Sequence, residues 1–68
     1  MDVIEVPIIH RIHYNHLYIP MARKIPELNA ELTEWLREYS SWYGVDFARE
    51  VIMFKKANEA LLFKLTWM

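Results

Sequence analysis

PELNAELTEWLREYSSWYG, residues 26–44, is the stretch on which the reading of the fold turns. Leu28, Leu32, Trp35, Leu36, Tyr39 and Tyr43 recur at three- and four-residue intervals, which places them on one stripe of an α-helix. Pro26 suits the first helical position, where a missing N–H costs nothing, and Glu27 complements the positive end of the helix dipole. Gly44, the only glycine in the chain, fits a left-handed residue just past a helix end. The pattern predicts a helix over residues 26–43, with one apolar stripe that must be laid against something.

Upstream, residues 3–14 are rich in β-branched side chains and alternate. Ile4, Val6, Ile8, His10, Ile12 and Tyr14 fall on one strand face, and Glu5, Pro7, Ile9, Arg11 and His13 on the other. The first set is the candidate core face. Pro7 gives no ladder hydrogen bond and so suggests an edge strand or a bulge. Asn15-His16 reads as a tight turn into a second strand over residues 17–21, with Tyr14 beside Leu17 and Ile12 beside Ile19. The plainer alternative is one long strand followed by a loop.

Downstream, residues 47–56 and 60–68 read as two more strands around Ala57-Asn58-Glu59. Both registers open to that turn keep side-chain parity. Ile52, Phe54, Leu61, Phe63, Leu65 and Trp67 then share the face that meets the helix. Arg49, Val51, Met53, Lys55, Leu62, Lys64 and Thr66 share the other. The expected architecture is α+β: an antiparallel sheet of about four strands in the order β-β-α-β-β, with one amphipathic helix on one face.

Composition sets limits around this picture. The chain has 68 residues, enough for one domain over residues 1–68, and no cysteine to staple it. Small domains without disulfides rely on a rich core, a metal or a partner subunit. A hydrophobic share of 54% argues against disorder and for a rich core or a partner. No apolar run reaches the ~18 residues of a membrane span. The opening Met1-Asp2-Val3-Ile4-Glu5 lacks the pattern of a signal peptide. A cytoplasmic protein is the expectation.

Motifs for chemistry are scarce. His10, His13 and His16 invite a metal reading, but zinc needs three or four converging ligands, and on a strand His10 and His13 point apart. The expectation is no metal and no cofactor, with His10 partly buried and the other two exposed. Ser40 and Ser41 have no elbow or base that would make a nucleophile. No enzymatic activity is expected. Glu27, Glu31, Glu34 and Glu38 form a stripe beside the apolar one, readable as an acidic contact for a basic partner. A solvated helix face with Arg37 nearby is the favoured reading.

The open sheet face is the more informative surface. Arg11, Tyr18, Val51, Met53, Lys55, Leu62 and Lys64 are the candidate partner-binding residues, with Val51, Met53 and Leu62 as an apolar patch of the kind that marks a contact site. The expectation is a protein-binding domain that occludes or bridges a partner and self-associates, an inhibitor or adaptor of the size phages encode. The alternative ligand is single-stranded nucleic acid, held by Arg11, Arg49, Lys55 and Lys64 around Tyr18 and His13. Against it stand a net charge of −1 and the absence of RNA-recognition motifs.

Overall fold

The computed structural model describes residues 2–20 and 23–68. The described elements run β1 (Ile4–Pro7), β2 (Tyr14–Ile19), β3 (Arg23–Leu28), α1 (Ala30–Tyr39), β4 (Tyr43–Asp46), β5 (Val51–Phe54) and α2 (Ala57–Trp67). The fold is α+β with antiparallel pairing throughout these strands, as the sequence predicts. Its strands divide between two sheets: β1-β5-β4, and a ribbon of β2 with β3.

In the three-stranded sheet β5 is central, and Pro7 lies on edge strand β1 opposite Val51. That position leaves its missing N–H without consequence. Val6, Ile52 and Phe54 point inward and are fully buried with Leu32 and Leu36 of α1 and Phe63 of α2. Tyr43, Val45, Trp35 and Trp67 pack around them. Each large apolar side chain so buried contributes roughly 1.5–3 kcal/mol. The interior expected of Val6, Ile8, Tyr14, Leu32, Leu36, Ile52, Phe54 and Phe63 is present.

Helix α1 is shorter than the apolar stripe suggests. Its cap is Asn29, whose Oδ1 accepts the Glu31 N–H at 3.0 Å, the role Asn fills well. Pro26 and Glu27 belong instead to β3, paired with His16 and Asn15. At the other end Ser40 is extended, and Gly44 lies in β4 with ordinary φ. Its lack of a side chain serves space: a Cβ would stand 3.2 Å from the Trp42 ring and 3.3 Å from the Met53 methyl.

The last apolar run is a helix, not a fourth strand. Residues 57–67 hold Ala, Leu and Lys, strong helix formers, and Thr66 as their one β-branched residue. Ala60, Phe63 and Trp67, at helical spacing, turn to the core, while Leu61 and Leu65 are exposed. The first run also breaks early. After Ile8 the chain turns through residues 11–13, with Arg11 at φ 75°, so His10 and Ile12 leave the core face.

Asn15 and His16 are not a turn. They lie within β2, whose partner is β3, with Tyr14 opposite Leu28 and Leu17 opposite Ile25. Met21, expected in the second strand, lies outside the described residues, as does Met1 of the opening segment. The ribbon stands away from the body, with Tyr14 its one buried residue. The radius of gyration, 12.6 Å, exceeds the roughly 11 Å of a compact chain this long.

Candidate functional site

The turn between β1 and β2 is built around His13, which is 1% exposed. The Ile9 N–H donates to its Nδ1 at 2.8 Å, so Nδ1 is the acceptor and Nε2 carries the hydrogen. Nε2 then donates to the Trp67 carbonyl at 2.9 Å. Both ring nitrogens are satisfied within the fold, and the ring packs 5.8 Å from that of Phe63. The buried histidine is therefore His13, not His10. It is a structural clasp that leaves neither ring nitrogen for a ligand.

Because His13 and Tyr14 anchor the turn, its polar side chains are pushed outward together. His10 and Arg11 from the turn, Asn15, His16 and Tyr18 from β2, and Lys24 from β3 line a hollow of about 270 Å³. Tyr18 and Lys24 are directly opposed across the ribbon. Tyr18 is 77% exposed. His10 Nε2 and His16 Nδ1 stand 3.1 Å apart, one nitrogen donating and the other accepting. Burial, followed by the charges of Lys24 and His10, lowers the His16 pKa.

The local backbone serves this arrangement at a cost. A left-handed Arg11 is held by its N–H donating to the Tyr14 carbonyl at 2.7 Å. Such a conformation in a non-glycine residue costs on the order of 1–3 kcal/mol. Beneath it the Tyr14 hydroxyl donates to Glu50 at 3.0 Å, and burial together with that carboxylate raises the Tyr14 pKa.

A second surface of different chemistry lies on α2. Leu61, Leu62, Leu65 and Met68 are exposed, Leu65 at 75%. They lie on the side away from Ala60, Phe63 and Trp67, so the helix is apolar on both sides. Ordinarily such a helix is covered on both. Lys64 stands beside this stripe, and Lys56 at the helix start.

The expected partner-binding residues are thus not one surface. Arg11 and Tyr18 meet in the ribbon hollow. Val51 and Met53 lie half-buried on the outer face of the sheet. There Trp42 crowds Gly44 and Met53, and Lys55 lies 4.6 Å over the Trp42 ring. Leu62 and Lys64 belong to α2, because the segment expected to pair with β5 is helical. Arg49 is engaged by Glu5 through two contacts of 2.7 Å, and this bidentate bond holds the Glu5 carboxyl below its usual range.

The acidic stripe is corrected at one end. Glu31, Glu34 and Glu38 are exposed on α1, but Glu27 is on β3 opposite Asn15. There it lines a second hollow of about 360 Å³ with Asn15, Leu17, Leu28, Asn29 and Ala30. Of the hollow's residues, sequence reasoning weighed His10 and His16 only as metal ligands and did not single out Lys24. The signal that could have grouped them is the charge of residues 8–26, which include Arg11, Arg23, Lys24 and all three histidines but no acid.

Among the described residues no group of three or more His, Cys, Asp or Glu side chains is arranged to hold a metal ion. No described helix is long and apolar enough to cross a membrane. No protein-family model, curated protein or solved structure matches the chain.

Proposed function

We propose that this chain is a non-catalytic protein-binding domain that acts by covering or bridging its partner. The outward face of α2 is the contact, and a second copy of the chain is its first occupant. One observation carries the reading: an 11-residue helix whose three leucines, Leu61, Leu62 and Leu65, all face outward while Ala60, Phe63 and Trp67 face the core, with no described segment covering those leucines. Contiguous apolar surface of this kind is characteristic of contact sites. A short straight stripe is also self-complementary, since two such helices laid antiparallel about a two-fold axis interdigitate their leucines. The cytoplasm is the proposed location, where a cysteine-free chain lacks nothing it needs for stability.

Light scattering across a concentration series tests this. The expected result is a dimer that Leu65→Glu converts to a folded monomer. A monomeric mass at every concentration up to the millimolar range would overturn self-association through α2.

A further inference from the structure

We infer that the hollow lined by His10, Arg11, His16, Tyr18 and Lys24 is a binding site for single-stranded nucleic acid, with phosphate between Arg11 and Lys24 and a base on Tyr18. This site is separate from the α2 surface, and neither inference depends on the other.

Three independent features converge there. The first is charge. Residues 8–26 contain no acid in a chain whose net charge is −1, so the ribbon end is cationic and the remainder acidic. The hollow's lining likewise contains no carboxylate, unlike the hollow on the opposite side of the ribbon, which has Glu27. An anion therefore has one favoured side of the ribbon to approach.

Geometry is the second. Tyr18 and Lys24 share one face because they are directly opposed in the β2–β3 pair. An aromatic ring next to an ammonium group is the pairing that holds a base and its phosphate. The ring is 77% exposed, and the ribbon projects from the body, so a strand can lie along it. A paired base in a duplex offers no free face to such a ring, and this selects unpaired nucleotides.

The third is the left-handed Arg11, which a glycine would adopt without strain. Among the described residues no hydrogen bond or ion pair engages the Arg11 side chain. It sets a guanidinium at the rim of the hollow.

His16, 3.1 Å from His10, adds a proton linkage. Facing His16 are Lys24 from β3, His10 and Arg11 from the turn, and the Tyr14 ring of its own strand, with Glu50 engaged by the Tyr14 hydroxyl. A phosphate in the hollow offsets the Lys24 charge that, after burial, opposes protonation of His16. Binding therefore takes up a proton and strengthens as pH falls from 7.5 to 6.

The test is fluorescence anisotropy of short labelled oligothymidylate and oligouridylate with the full chain, across salt and pH. Micromolar binding is expected, with a log–log salt slope of about −1.5 to −2 for two or three phosphate contacts. Tyr18→Ala should weaken it at least about fivefold, while Tyr18→Phe keeps it. Lys24→Ala should weaken it, and Lys64→Ala should not. Arg11→Gly is the decisive variant, because it should raise the urea midpoint and yet lower affinity. A stabilised Arg11→Gly protein with unchanged affinity overturns the assignment. So does the absence of binding at low salt, equal affinity for duplex, or equal competition by inorganic phosphate or polyglutamate.

Discussion

Helices α1 and α2 do the same work on the inside and differ on the outside. α1 buries Leu32 and Leu36 and shows Glu31, Glu34, Arg37 and Glu38 to solvent. α2 buries Ala60 and Phe63 and shows Leu61, Leu62 and Leu65. They meet through Trp35, whose ring lies 6.2 Å from Phe63 and 6.3 Å from Trp67. α1 demonstrates that a charged outer face suffices to seat a helix on this sheet. The leucines outside α2 are therefore not explained by folding, and the contrast separates what builds the domain from what it uses.

Truncating the inner faces should give the largest effects and should treat the helices alike. Phe63→Ala is expected to cost about 3–5 kcal/mol and Leu36→Ala about 2–5 kcal/mol in urea unfolding. A marginal small domain would then be largely unfolded at room temperature. A loss well under 1 kcal/mol at Phe63 would show that α2 is dispensable to the core.

The caps sharpen the comparison at a smaller scale. Asn29→Ala should weaken α1 by about 1 kcal/mol. At the start of α2, Lys56 makes no capping hydrogen bond, so Lys56→Asp should stabilise by a few tenths to about 1 kcal/mol. Thermal melts of both variants would decide whether the second helix is under-capped.

Glu59 joins the two helices. Its carboxylate accepts from the Ser41 N–H at 3.0 Å and from both serine hydroxyls at 3.3 Å. The backbone bond first, and then those hydroxyls and Lys56, hold its pKa below the usual glutamate value. A lowered acid pKa contributes stability that is complete above the unfolded-state value and is lost as pH falls through the folded one. Glu59→Gln should thus be less stable than wild type at pH 7, with the difference vanishing toward pH 3. A difference independent of pH would mean that the ionised form has no special role.

The smallest effect on stability belongs to the outer leucines. Leu65→Glu should change unfolding free energy by no more than about 0.5 kcal/mol, while abolishing association. If it unfolds the protein instead, the outer face of α2 is part of the fold and the contrast with α1 collapses.

What the sequence reveals of this fold depends on how singly each segment can be read. Leu32 and Leu36 are flanked by Glu31, Glu34 and Glu38, so only a helical period fits them. Pro7 on an edge and Ile52 with Phe54 facing inward are equally legible. Residues 60–67 fit both periods, because Leu61, Phe63, Leu65 and Trp67 alternate while Ala60, Phe63 and Trp67 repeat helically. When both faces of an element are apolar, periodicity cannot choose, and the lack of β-branching was the better guide.

The turns at Arg11 and Glu50 are left-handed without glycine and so carry no turn signature. The hollow on the ribbon was half legible. Arg11 and Tyr18 were marked, but His10, His16 and Lys24 are brought to them by a strand pairing 14–19 with 23–28 that a misplaced turn at Asn15 conceals.

The pairing of β1 with β5 has a consequence for synthesis. Ile4 has Phe54 as its partner, and the His13 clasp closes on Trp67, 54 positions away. During synthesis β1 has no sheet partner until residues 51–54 have emerged. The ribbon can form on the way out, since its pairings are local, but the sheet cannot. Closure of the sheet and of the His13 clasp therefore waits on contacts of high sequence separation, the kind that slow folding and leave a strand edge open meanwhile.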